Sequence, residues 1–119
     1  MKNFKVTRIK EDEKKPTRFF SSAQEKKVAK NCNGLVTKNS GATLFQKGDV
    51  LTDKILIECK TQTKNKETFT LHKEWLEKNE REALFMGKEY SAVAFNFGPG
   101  ENQYYIIDEQ LFHKLIENI

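Results

Sequence analysis

The sequence predicts a single α/β domain over residues 19–119, with helices flanking one central mixed β-sheet. Three observations carry this. Apolar residues recur at helical spacing in 71–86 and 109–118, while 55–60, 90–97 and 104–107 are short β-type runs. The two kinds of segment alternate along the chain as helix, about three strands, helix, two strands, helix. A length of 119 residues suits one compact domain and leaves little room for a second.

Each element has its own signal. Residues 1–18 form a polar basic arm closed by Pro16. Ser21 and Ser22 offer N-caps for a first helix in which Val28, Ala29 and Cys32 recur at helical spacing, and Asn33-Gly34 stops it. Residues 35–37 read as a short strand, and Asn39-Ser40-Gly41 as a turn. Residues 49–52 and 55–60 read as a β-hairpin joined through Asp53-Lys54. After a polar loop, a long helix over 71–86 turns Leu71, Trp75, Leu76, Ala83 and Met86 inward, and Gly87 ends it. A strand over 90–97 meets the turn Gly98-Pro99-Gly100. A strand over 104–107 and a helix over 109–118 close the domain.

Composition narrows the function. No apolar run approaches the ~20 residues that span a bilayer, and the charged first residues carry no signal-peptide stretch. A cytoplasmic protein with no membrane partner is expected. Cys32 and Cys59 stand far apart with no CxxC pattern, so they read as core thiols rather than zinc ligands or a disulfide. The net charge of +4 lies in the arm, which carries seven Lys/Arg against three Asp/Glu; the remainder is neutral. Such an arm either lies along an anionic polymer or is a solvated tail.

The hairpin holds the candidate chemistry. With a two-residue turn at Asp53-Lys54, Asp49 stands opposite Glu58, their Cβ atoms about 4.5–5.5 Å apart. Two carboxylates that close repel unless a positive charge lies between them. A hard divalent cation meets this need, binding carboxylate oxygens at about 2.0–2.1 Å. Strand alternation places Lys60 on the face of Glu58 and turns Ile55, Ile57 and Cys59 to the other. The competing reading is an exposed edge hairpin with solvated charges, because Asp-Lys is a weak hairpin turn. Glu25 shares the helical stripe of Val28, Ala29 and Cys32 and points toward the packed face. It is either a further acid of the site or the last residue of a capping box, Ser22-Ala-Gln-Glu25.

The series Ser-Ala-Gln-Glu25, Ser40-Gly41-Ala42, Lys-Gly-Asp49-Val and Ile-Glu58-Cys-Lys60-Thr-Gln62 resembles the PD-(D/E)xK nuclease superfamily. Order and spacing look most like its small Holliday junction resolvases of archaeal and phage type, from about Ser21 to the C-terminus. The Pro of the superfamily's name is replaced by Gly48. The resemblance implies a restriction-endonuclease-like fold and a Mg²⁺ site, with Mn²⁺ as substitute. Asp49, Glu58, the backbone carbonyl of Cys59 and Glu25, direct or through water, are then the implied ligands. Lys60 is implied to position or deprotonate the attacking water, Gln62 to orient water or phosphate, and Ser40 to contact a phosphate. Two symmetric cuts across a junction imply a homodimer acting on branched DNA, with no small-molecule cofactor. A nicking, repair or restriction-like nuclease and a non-catalytic DNA-binding protein are the alternatives.

Lys64, Lys66 and Lys73 are candidate DNA contacts set against an ordinary solvated surface. His72 and His113 lie far apart and lack ligand-spaced neighbours. Trp75 reads as core, and Gly98-Pro99-Gly100 lacks phosphate-loop spacing.

Overall fold

The computed structural model describes residues 16–37 and 49–119. Three helices and a five-stranded mixed sheet form an α/β fold: α1 Thr17–Cys32, β1 Leu35–Val36, β2 Asp49–Leu51, β3 Ile55–Lys60, α2 Lys73–Phe85, β4 Tyr90–Phe95, β5 Tyr104–Ile107 and α3 Glu109–Glu117. The strands lie side by side in chain order. Three of the four pairings are antiparallel. The central β3–β4 pair is parallel, because α2 returns the chain across the sheet between them.

Alternation divides the sheet into two faces with different fillings. On one, α1 sets Val28 and Ala29 against Val50, Ile57, Ala92 and Ala94, which gives a continuous apolar core. On the other, α2 packs against β3 and β4, over Leu56 and Val93, both fully buried. Burying a side chain of that size contributes roughly 1.5–3 kcal/mol. Leu56, Glu58 and Lys60 alternate along β3 on this second face, so the charged residues of the strand meet α2 and not α1.

α1 starts earlier than the serines suggested. It begins directly after Pro16, whose missing N–H costs nothing at a helix start, and Phe19 N–H donates to Pro16 O at 2.9 Å. Ser21 and Ser22 are therefore interior, no capping box forms, and Arg18, counted with the arm, belongs to the helix. The helix stops at Asn33, which takes φ 56°, and Gly34 follows pressed on β2. A Cβ on Gly34 would lie 2.8 Å from Leu51 O and 2.9 Å from a Val50 methyl carbon.

α2 is shorter than the apolar pattern predicted. Leu71 precedes it and is exposed, as are Leu84 and Phe85, whereas polar Asn79 and Glu82 join Ala83 in its buried stripe. β4 ends at Phe95, two residues short of the expected strand, where Asn96 turns its buried side chain to accept the N–H of Gly98. At Gly98 the chain runs so close to the loop after β3 that a Cβ would sit 2.7 Å from Asn65 Cα. Lys66 N–H donates to Phe97 O at 2.7 Å and fastens the same two loops. β5 has the expected bounds, and α3 opens on an Asp108 cap that accepts from Leu111 N–H at 2.8 Å. Among the described residues no helix is long and apolar enough to cross a membrane.

Candidate active site

The register of the β2–β3 hairpin sets the geometry. Asp49 pairs with Glu58, Val50 with Ile57 and Leu51 with Leu56, as a two-residue turn requires. Asp53-Lys54 is a poor turn by itself. Thr52 closes it, its hydroxyl accepting Ile55 N–H at 3.0 Å and its own N–H donating to Ile55 O at 2.9 Å. The chain before β4 then grips the turn from outside: Glu89 and Tyr90 N–H both donate to Lys54 O, and Lys88 Nζ donates to Asp53 O at 3.1 Å.

Asp49 and Glu58 share the α2 face with Lys60. Asp49 is 3% exposed, and burial holds its carboxyl up at about 7; the charges of Glu58 and Glu82 act in the same direction, and Lys78 offsets part of them. Among the described residues no cation pairs with it directly. Glu58 is different. Lys60 Nζ lies 2.8 Å from its carboxylate and at the same time 4.1 Å above the centre of the Trp75 ring. The two opposed acids are thus treated unequally among the described residues: Glu58 has an ion-pair partner in Lys60, whereas Asp49 has none and is only partly offset by Lys78.

Glu25 lies on α1, across the sheet from Glu58 and Lys60. It is 1% exposed, and Arg18 Nη1 donates to it at 3.2 Å. Burial raises its carboxyl above the usual range and Arg18 draws it back. Its charge still reaches Asp49, as a minor contribution. The structure thus gives Glu25 a partner of its own and does not bring it onto the face of the other acids. Cys59, also on the α1 side, has a thiol pushed up by burial and then by the charges of Glu25 and Asp49, so it stays protonated. Cys32 and Cys59 are free thiols packed against the apolar core.

The alternation that carries Lys60 does not extend to Gln62. β3 ends at Lys60, and Thr61 swings toward α1 to donate its hydroxyl to Gln24 Oε1 at 2.6 Å. Gln62 consequently lines a cleft of about 920 Å³ on the α1 side, together with Phe20, Gln24, Lys27, Lys64 and Asn96. Asp49, Glu58 and Lys60 are not part of that cleft; it flanks the acid site at the strand end. Lys66 and Lys73 are exposed, the first on the fastened loop and the second at the start of α2. Ser40, the turn around it, and arm residues 1–15 lie outside the described residues.

Three residues were missed by pattern reading. Glu82 is a buried acid on α2, ion-paired to Lys78 at 3.7 Å, and it escaped because helical periodicity counts apolar residues. Gln24 is buried and its Nε2 reaches Lys60 O at 3.1 Å, Gln103 Oε1 at 3.1 Å and Ala94 O at 3.4 Å, fixing the end of β3. Trp75, expected as plain core, faces the lysine. The signals present in the sequence were Gln24 beside Glu25, and Glu82 one turn after Lys78.

The donor set fits a hard divalent cation: carboxylate oxygens, one of them buried without an ion-pair partner among the described residues and opposed by a second acid. Asp49 and Glu58 are the residues that would hold such an ion. Among the described residues no three His, Cys, Asp or Glu side chains are gathered into a metal-binding group, so the fit rests on that pair. No protein-family model, curated protein or solved structure matches this chain.

Proposed function

We propose that this chain is a Mg²⁺-dependent DNA endonuclease of restriction-endonuclease-like fold, a resolvase that cuts four-way junctions as a homodimer. The observation that carries the proposal is the buried Asp49 carboxylate opposite Glu58, with no ion-pair partner among the described residues and Lys60 on the same face. A site that only bound DNA would gain nothing from burying acid next to phosphates. A site that recruits a cation gains from it, because a bound cation offsets the burial cost, and the repulsion added to it, that raise Asp49.

A phosphodiester is anionic and resists attack by hydroxide. A divalent cation supplies polarisation of a phosphoryl oxygen and a water acidic enough to ionise near neutral pH. Asp49 and Glu58 would hold that cation, with the backbone carbonyl of Cys59, next to Glu58 on β3, as a further ligand. Lys60 keeps an ammonium where negative charge grows on the phosphate, already ordered by its two contacts before substrate arrives. Glu25 acts on the site only through its charge. Gln62 and Lys64, in the flanking cleft, contact the sugar-phosphate backbone beyond the cut bond, and exposed Lys66 and Lys73 offer further phosphate contacts from the loop after β3 and the start of α2. One Asp49–Glu58 pair offers one cut per copy, so symmetric cleavage needs two copies around a twofold axis.

The test incubates pure protein with labelled four-way junction, flap, duplex and single strand in Mg²⁺ or Mn²⁺, wild type beside Lys60→Ala. Junction cleavage by the wild type, reduced on the order of 10²-fold or more in Lys60→Ala, is the expected result. Preference for flap or duplex would move the reading to a nicking or repair nuclease. Binding in EDTA with no product in either metal would make the chain a non-catalytic DNA-binding protein.

A further inference from the structure

Lys60 divides its ammonium between two partners of different kinds, a carboxylate at 2.8 Å and an indole face at 4.1 Å. Its side chain is 29% exposed and that of Glu58 13%, so both contacts are partly shielded from water. The indole is itself held. Trp75 sits in the first turn of α2, its backbone N–H donating to His72 O at 3.0 Å. The His72 ring lies 4.5 Å from it and Phe69 6.0 Å from it, and Phe69 in turn stacks on Phe95 at 4.1 Å. A chain of rings anchored in β4 thus fixes one aromatic face under the lysine.

We infer that Trp75 is a positioning residue that keeps Lys60 in the site when Glu58 gives its charge to a divalent cation; the inference rests on the metal-dependent reading above. Its logic is electrostatic. While Glu58 is free, its carboxylate alone would hold the ammonium. Once Glu58 binds a cation, the ammonium loses that partner and is repelled by the new charge. A lysine on a flexible four-carbon stem then swings out to solvent unless something weakly attractive stays beside it. An indole face does this without competing for the cation, since it attracts ammonium by its quadrupole and offers no donor oxygen. A substrate phosphate can then take the place Glu58 vacated.

Trp75 is the single tryptophan of the chain, so its fluorescence reports this contact directly. The experiment follows Trp75 emission during Mg²⁺ titration of wild type, Lys60→Met and Glu58→Gln, with calorimetry recording metal binding in parallel. Before Mg²⁺, the wild-type spectrum should differ from that of Lys60→Met, because the charge over the ring is gone. During the titration the wild-type emission should change saturably with the calorimetric curve, keep a Lys60-dependent difference at saturation, and stay flat in Lys60→Met. Identical spectra of wild type and Lys60→Met, before and after Mg²⁺, would overturn the contact. Heat of binding with convergence of the two spectra at saturation would show the lysine leaving, which overturns the positioning role and leaves the metal site standing. Absence of binding heat would instead sink the metal reading, and the role of Trp75 with it. In cleavage, Trp75→Leu should lower kcat about 10-fold with KM little changed, and Trp75→Phe, which keeps an aromatic face, should restore most of it. Equal losses in Leu and Phe variants would mean a packing role only.

Discussion

The two faces of the sheet each bury a carboxylate, and they treat it in opposite ways. On the α1 face, Glu25 lies among Val28, Ala29 and the apolar strand residues and is met by Arg18 at 3.2 Å. On the α2 face, Asp49 is buried as deeply but surrounded by Glu58 and Glu82, and its carboxyl rises to about 7. A buried acid with an arginine is an internally balanced element of the fold. One that meets further acids keeps its proton to higher pH or gains from a cation that binds beside it. That contrast, more than burial alone, is what marks Asp49 rather than Glu25 as the acid on which the proposed function rests.

Replacing Asp49 should break the comparison most. Asp49→Asn keeps the shape and removes the charge, so Mg²⁺-dependent cleavage should fall on the order of 10³-fold. The same change should stabilise the metal-free protein at pH 8. The folded value, about 7, lies above the ordinary 3.8, so the acid's contribution to stability is full below pH 4 and is lost as pH rises to about 7. The wild type should therefore lose on the order of 2–4 kcal/mol relative to Asp49→Asn across that window, read from melts at each pH. Equal pH profiles for the two proteins would show that Asp49 bears no unmatched charge.

The parts of this site that periodicity governs were legible in the sequence. Alternation along 55–60 and a two-residue link gave the Asp49–Glu58 register and the face of Lys60. Other parts depend on polar groups that periodicity does not see. Glu82 and Asn79 are buried in α2 while Leu84 and Phe85 are exposed, so an apolar count misplaces that helix's inner face. Gln62 follows the hydrogen bond of Thr61 to Gln24, a contact across 37 residues, and not the local alternation. The serines at 21 and 22 looked like caps because cap residues are recognised locally, whereas Pro16 and the pairing of Arg18 with Glu25 extend the helix upstream.

Glu82→Gln should sharpen the contrast with a smaller effect. It removes one of the charges raising Asp49, so the Asp49 carboxyl should move down toward its ordinary range and Mg²⁺ should bind about 10-fold more weakly. NMR titration of Asp49 and calorimetry check the two halves separately. An unchanged Asp49 titration would mean that burial and Glu58 set it without Glu82.

Arg18→Met probes the balanced face. It leaves Glu25 buried beside no cation, and because Arg18 is 57% exposed the pair is screened; the expected loss is about 1–2 kcal/mol in denaturant unfolding. Cleavage should change less than about 3-fold, since Glu25 stands across the sheet. A loss of activity as large as that of Asp49→Asn would place Glu25 among the metal ligands after all.

The smallest effect belongs to Lys78→Met. Lys78 is largely exposed and only offsets the acids, so its removal should raise the Asp49 carboxyl slightly and move the alkaline shift of apo stability by a few tenths of a pH unit.

The contrast between the two acids is tested most directly by calorimetric titration of Mg²⁺ into wild type, Asp49→Asn and Glu25→Gln at pH 8. The account predicts saturable binding in the wild type, none in Asp49→Asn, and nearly wild-type binding in Glu25→Gln. Binding that survives Asp49→Asn, or that disappears in a folded Glu25→Gln protein, would contradict it.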